Sequence, residues 1–230
     1  MSLWDEACLF SPSLICLDMC NLEEQAKQLE KAGVALLHID IIDGHFSPSM
    51  PLGFETVRRL REKTSLIFDC HVMTSAPDFF VDQLIDIGAG QIVFHAETCN
   101  HIDGMLKRIR SAGVRAGVAL KPSTPLICLD YILDECDAVL LMLINPGYAS
   151  SGAERQIAYA NRKVQELRKM IDKRDLRTII SVDGRVSHDN IRLWGANTVN
   201  LFVTGSTCLH SEDIPGSVEA LRRLREEVLA

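Results

Sequence analysis

Eight short apolar runs recur along the chain, at about 8–14, 34–42, 65–73, 91–95, 114–120, 138–144, 178–183 and 198–204. Between them lie segments whose apolar residues repeat with helical period. Continuous aliphatic runs of this length read as strands covered on both faces. The intervening patterns predict helices over 21–31, 53–62, 77–87, 99–112, 126–133, 156–173, 187–194 and 215–229. Asn21 is placed to cap the first of these, Leu22, Ala26, Leu29 and Ala32 form its apolar stripe, and Gly33 supplies its stop. Eight strands alternating with eight helices require parallel βαβ units. Two architectures satisfy that pattern, a closed barrel and a doubly wound open sheet. Polar residues stand at the C-terminal ends of several strands: Ser13, Asp40, His71, His95 and Asp183. An open sheet gathers its site at one switch point, whereas a barrel gathers it from many strand ends. The predicted fold is therefore α/β, a single (β/α)8 TIM barrel domain over 1–230, a length one such barrel fills.

Composition narrows the partners. A net charge of -7 with no basic run argues against nucleic acid. No run of 18 apolar residues occurs, so no membrane span is expected. The stretch Met1–Glu6 lacks the form of a signal peptide, and the eight scattered cysteines read as reduced thiols, which predicts a cytoplasmic location. Cys16 and Cys20 have no second Cys/His pair at zinc-finger spacing and read as partly buried small residues. There is no GxGxxG or Walker motif.

The chemistry gathers on strand ends. Side chains two apart on a strand share a face, so His38 and Asp40 point together. On the third strand Asp69 and His71 share a face, and Asp69 is suited to orient an imidazole. Asp183 ends the seventh strand, almost opposite in an eight-stranded barrel. His38, Asp40, His71 and Asp183 would make a four-ligand N/O site for one divalent metal ion, with Zn²⁺, Mn²⁺, Fe²⁺ and Co²⁺ all compatible. Gly184, Gly205 and Ser206 follow the last two strands, where this fold usually holds phosphate. The stretch Asn145–Gly152, which includes Gly147, is a candidate closing loop. Met73 and Met142 are candidates for the pocket lining. Asp43 reads as a turn residue beside Gly44.

Taken in order, Ser11-Pro12-Ser13-Leu14, His38 to Phe46, Asp69-Cys70-His71-Val72-Met73, Phe94-His95-Ala96-Glu97, Gly117 to Leu120, Pro122 to Pro125, Leu141-Met142, Asn145-Pro146-Gly147, Val182-Asp183-Gly184 and Gly205-Ser206 make the chain resemble the ribulose-phosphate 3-epimerase family over essentially its whole length. The opening Ser-Pro-Ser-Leu-x-Cys-x-Asp is also similar to the branch acting on allulose 6-phosphate. The resemblance implies a cytoplasmic isomerase of carbohydrate metabolism, commonly self-associating, that epimerises a ketose phosphate at carbon 3. It implies His38, Asp40, His71 and Asp183 as metal ligands and Asp40 and Asp183 as the two acid/base carboxylates. It implies Ser13 and His71 as sugar contacts, and Gly184, Gly205 and Ser206 as the phosphate grip. Three departures from the family pattern stand out: Arg185 replaces a second glycine, Tyr148-Ala149-Ser150 replaces a Phe-Gly-Gly stretch, and Lys121 replaces an Asn. Arg185, with Lys121, is expected to supply side-chain charge to an anionic group. Two rivals remain. A sugar-phosphate decarboxylase of related fold would carry Asp-x-Lys-x-x-Asp on the third strand, where this chain has Asp69-Cys70-His71. A non-catalytic sugar-phosphate-binding barrel would not need the four-ligand set.

Overall fold

The computed structural model describes residues 3–148 and 153–230. Strands β1 (Leu9–Pro12), β2 (Leu36–Ile42), β3 (Ile67–Met73), β4 (Gln91–His95), β5 (Arg115–Leu120), β6 (Ala138–Met142), β7 (Ile179–Asp183) and β8 (Leu201–Thr204) form one sheet. Its order is β1-β8-β7-β6-β5-β4-β3-β2, and every neighbouring pair is parallel. A parallel bridge between Ser13 and His38 joins the two ends. The sheet therefore closes on itself as the predicted barrel. The seam is narrow: one bridged pair, against seven registered pairs between β2 and β3.

Alternation along each strand sorts side chains into two cores. Leu37, Ile39 and Ile41 of β2 join Phe68, Val72, Phe94 and Val118 under the helices. Leu36, Val93, Leu140, Met142, Ile179 and Leu201 fill the lumen. Each fully buried aliphatic or aromatic side chain contributes roughly 1.5–3 kcal/mol. Because β2 is buried at all seven positions, His38 and Asp40 are enclosed with the apolar residues around them.

The helices among the described residues are α1 (Leu22–Lys31), α2 (Phe54–Arg61), α3 (Pro77–Ile87), α4 (Ile102–Ser111), α5 (Ala160–Lys173), α6 (His188–Trp194) and α7 (Ile214–Leu229). Leu22, Ala26 and Leu29 are the buried stripe of α1, and Gly33, at φ +86°, turns the chain out of it. Asn21 stands at its start, but its side chain donates to Asp18 rather than capping the helix. The helix expected over 126–133 is two short 3-10 turns, Leu126–Leu129 and Leu133–Glu135. The amides there bond three residues back, Asp130 N–H to the Ile127 carbonyl at 3.1 Å and Ile132 N–H to that of Leu129 at 3.0 Å. The Arg174 guanidinium anchors this segment, binding the Asp130 carbonyl at 2.8 Å and the Asp130 carboxylate at 2.9 Å. The helix expected from 156 begins at Ala160. Gln156 instead sends its amide to the carbonyls of Gly184 and Arg185, at 3.0 and 2.8 Å, and fastens the exit of β7. No helix among the described residues is long and apolar enough to cross a membrane.

Candidate active site

The C-terminal ends of β2, β3 and β7 bring His38, Asp40, His71 and Asp183 together. One ligand-type atom from each lies within 4.8 Å of all the others. His38 Nε2 stands 3.4 Å from Asp40 Oδ1, and His71 Nδ1 stands 3.4 Å from Asp40 and 3.7 Å from Asp183. Both of those imidazole nitrogens are buried without a hydrogen-bond partner. A buried polar atom left so is costly, and a cation between the rings and the carboxylates would satisfy both at once. Two nitrogens and two carboxylates make a donor set that suits a divalent metal of the zinc, manganese, iron or cobalt type.

The two carboxyls are driven apart electrostatically. Burial opposes charge on Asp40, but the facing His38 and His71 overcome it and hold its carboxyl well below the ordinary range. Burial pushes Asp183 up, and the neighbouring charge of Asp40 adds to the effect. A cation held between them would favour the ionised form of both carboxyls. Ser13 donates its hydroxyl to Asp40 Oδ2 at 3.0 Å, directly at the barrel seam.

Behind the cluster, each histidine is held from its far side. Asp69 Oδ2 lies 2.8 Å from His38 Nδ1, so Asp69 does orient an imidazole, and Gln91 donates to its other oxygen at 2.9 Å. His71 Nε2 lies 3.0 Å from His95 Nε2, and His95 Nδ1 lies 3.0 Å from Glu97 Oε2. Burial pushes His95 down to about 4, which keeps it neutral near pH 7. This contact of His95 is not visible in the sequence, because the register places His71 beside Val93 and one turn of the pleat brings His95 over it. The signal that points to it is the His-x-Glu pair at the exit of β4.

A cavity opens above the cluster toward β7 and β8. Ser13, Asp40, Met73, Met142, Gly147, Asp183, Gly184, Arg185, Gly205 and Ser206 all line it. Cys16, the cysteine of the opening Ser-Pro-Ser-Leu-x-Cys-x-Asp, lines it too and would lie 3.2 Å from a Cβ placed on Gly205. Cys20 is exposed and neither thiol is in a disulfide, in keeping with separate small residues. Gly147, at φ +82°, passes so close to Ser47 that a Cβ there would collide with its hydroxyl. Residues 149–152 of the expected closing loop lie outside the described residues. Arg185 adopts φ +51°, a left-handed backbone that suits glycine and costs other residues roughly 1–2 kcal/mol. Lys121 corrects the expectation made for it. It does not line the cavity; its ammonium sits 4.1 Å over the ring of Phe46, a cation–π contact made on the way out of β5.

Asp43 is the turn residue that its place beside Gly44 predicts. Its carboxylate accepts from the backbone of His45, Phe46 and Ser75 and from the Ser75 hydroxyl, at 2.7–2.9 Å. Burial resists the charge, but these four donors bring the group down to about 2 from its ordinary 3.8. A lowered folded-state pKa stabilises the fold above the unfolded value and is lost as pH falls from about 4 toward 2. Asp43→Ala is therefore expected to cost about 1 kcal/mol at pH 7 and close to nothing at pH 2. Urea midpoints of the two proteins across that range measure it.

The comparisons with known proteins agree with this geometry. The model of the ribulose-phosphate 3 epimerase family matches residues 9–209. A ribulose-phosphate 3-epimerase of Mycobacterium tuberculosis (strain H37Rv) is 35% identical over 215 residues, covering 94% of this chain and 92% of that one. That of Bacillus subtilis (strain 168) is 34% identical over 92% of this chain and 97% of its own, and that of Escherichia coli (strain K12) 32% over 93% and 94%. Among solved structures, a 3-keto-L-gulonate-6-phosphate decarboxylase from Vibrio cholerae aligns with a TM-score of 0.70 at 14% identity, over 97% and 99% of the two chains. A 3-hexulose-6-phosphate synthase from Salmonella typhimurium aligns at 0.69 and 14%, over 96% and 99%. At that identity the structural likeness speaks for the barrel alone. The family match spans the strands that carry the cluster, and on that ground the chain belongs to the ribulose-phosphate 3-epimerase family.

Proposed function

We propose that the chain is a metal-dependent isomerase that interconverts D-ribulose 5-phosphate and D-xylulose 5-phosphate. The observation that supports this most is the enclosed His38/Asp40/His71/Asp183 cluster, with two unpartnered imidazole nitrogens, beneath a cavity that ends in Gly184, Gly205 and Ser206. Epimerisation beside a ketone removes a weakly acidic C–H proton and returns one to the opposite face. A divalent ion held by His38, Asp40, His71 and Asp183 would supply positive charge beside the oxygens on which negative charge develops. Asp40 takes the proton from one face of the sugar. Asp183 returns one from the other, and the roles exchange in the reverse direction. Ser13 holds Asp40 and meets the sugar, while backbone N–H groups at Gly184, Gly205 and Ser206 face the phosphate. Met73 and Met142 exclude water from the floor. With this reading go a cytoplasmic setting, a single domain over 1–230 and self-association, the last tested by light scattering.

Incubating purified, metal-loaded protein with D-ribulose 5-phosphate in deuterated water tests the reaction. Xylulose 5-phosphate carrying deuterium at carbon 3 is the expected product. No turnover and no deuterium uptake on any ketose phosphate would move the chain to a binding role. A second substrate reading, a hexulose phosphate such as allulose 6-phosphate, rests on the opening Ser-Pro-Ser-Leu-x-Cys-x-Asp, whose Ser13 and Cys16 line the cavity. The same assay run on both sugars separates the two.

Arg185 gives a prediction with two readouts. Arg185→Gly removes the left-handed strain and is expected to raise stability by up to about 1 kcal/mol. It also removes a guanidinium from the phosphate end, and KM is expected to rise about tenfold, in line with one charge-assisted hydrogen bond. An unchanged KM across a panel of sugar phosphates would remove Arg185 from the anion grip.

A further inference from the structure

Two buried imidazoles and a carboxylate lie in line behind the cluster. Glu97 is fixed at both oxygens. Its Oε1 accepts from the Lys121 backbone N–H at 2.7 Å and from the Thr124 hydroxyl, and its Oε2 lies 3.0 Å from His95 Nδ1. The loop that supplies those donors is itself tied down, since the ammonium of Lys163 binds the carbonyls of Lys121 and Pro122 at 2.8 and 2.9 Å. An ionised carboxylate only accepts, so His95 must carry its proton on Nδ1. A neutral imidazole then has a lone pair on Nε2. His71 Nε2 stands 3.0 Å from that lone pair, and a hydrogen bond forms there only if His71 is protonated on Nε2. The remaining lone pair of His71 is on Nδ1, 3.4 Å from Asp40 Oδ1 and buried without another partner. In the opposite tautomer two lone pairs would face each other at 3.0 Å and an N–H would point into the cluster.

We propose that His95 and Glu97 are positioning residues that hold His71 in the Nε2–H tautomer, so that its Nδ1 is ready to bind a cation. The proposal rests on the metal reading of the cluster. It makes the two histidines unlike: His38 is set directly by Asp69 and presents Nε2, whereas His71 is set through a second imidazole and presents Nδ1. Phe46 packs against His95, with ring centroids 4.6 Å apart, and shields the relay.

Three variants test it: His95→Leu, Glu97→Leu and His95→Gln. Affinity for Zn²⁺ and Mn²⁺ is read by competition with a chromophoric chelator, and the His71 tautomer by ¹⁵N NMR of the zinc-loaded and metal-free proteins. His95→Leu and Glu97→Leu are expected to weaken metal binding about 10–100-fold, the usual effect of losing a partner behind a ligand. Both are expected to mix the His71 tautomers in the metal-free protein, where no ion holds Nδ1. His95→Gln keeps an acceptor toward His71 and a donor toward Glu97, and is expected to recover most of the loss. Folded leucine variants with wild-type affinity would overturn the proposal. So would weaker binding with His71 still wholly protonated on Nε2 in the metal-free variants, because packing alone would then account for the loss. If His95→Leu fails to fold, Glu97→Leu decides the matter by the same two measurements. Should the wild-type chain bind neither ion, the metal reading fails, and the tautomer of His71 in the metal-free proteins still judges the relay separately.

Discussion

Asp183→Asn is expected to lower the epimerisation rate by about 10²–10⁴-fold while the protein stays folded. The asparagine fits the same space at the end of β7, so the barrel keeps its form, but no proton can be taken or returned on that face. The informative result is in the isotope. Asp40 remains on the opposite face and still exchanges the proton that it alone meets. The variant is therefore expected to wash deuterium into carbon 3 of one epimer without converting it to the other. Asp40→Asn should reverse which epimer exchanges, and each of the two variants also gives up one of the four groups that would hold the cation. NMR of each sugar in deuterated water reads both outcomes. Equal exchange of both epimers by either variant would mean that one base serves both faces, and the division of roles between Asp40 and Asp183 would be wrong.

Removing divalent metal with a strong chelator is expected to reduce activity about 10³-fold or more, since charge stabilisation beside a developing oxyanion is worth several kcal/mol. The fold should register the same loss. An ion present at 100 times its dissociation constant adds about 2.7 kcal/mol to stability, and a chain of this size shifts its Tm by about 2–4 °C per kcal/mol. A fall of roughly 5–10 °C follows, reversed by whichever of Zn²⁺, Mn²⁺, Fe²⁺ or Co²⁺ restores turnover. Full activity in chelator, with no metal detected by mass spectrometry, would sink the metal reading.

The barrel and its cluster are legible for one reason: strand alternation is local. His38 and Asp40, or Asp69 and His71, declare their shared face within three residues, and eight repeats of one pattern leave little choice of architecture. What the chain conceals depends on partners far away in sequence. The turns over 126–135 are anchored by Arg174, 44 residues from Asp130, whose carbonyl it binds. His95 reads only as a polar strand end because nothing local states the register of β4 against β3. Lys121 reads as an anion ligand by its charge, and Phe46 holds it elsewhere. Arg185 is visible as an odd residue among glycines, but its left-handed backbone is not.

The seam between Ser13 and His38 carries one more implication. A single bridged pair is all that keeps the facing edges of β1 and β2 from being open strand edges, and open edges are templates for pairing with other chains. Asp40, which accepts from Ser13, sits beside that bridge, and Asp183 reaches the same cluster from β7 across the lumen. Whatever ion or sugar occupies the cluster acts as a clasp on the weakest hoop of the barrel. Starvation for metal would then threaten solubility as well as turnover, with the first amides to exchange lying along β1 and the facing half of β2.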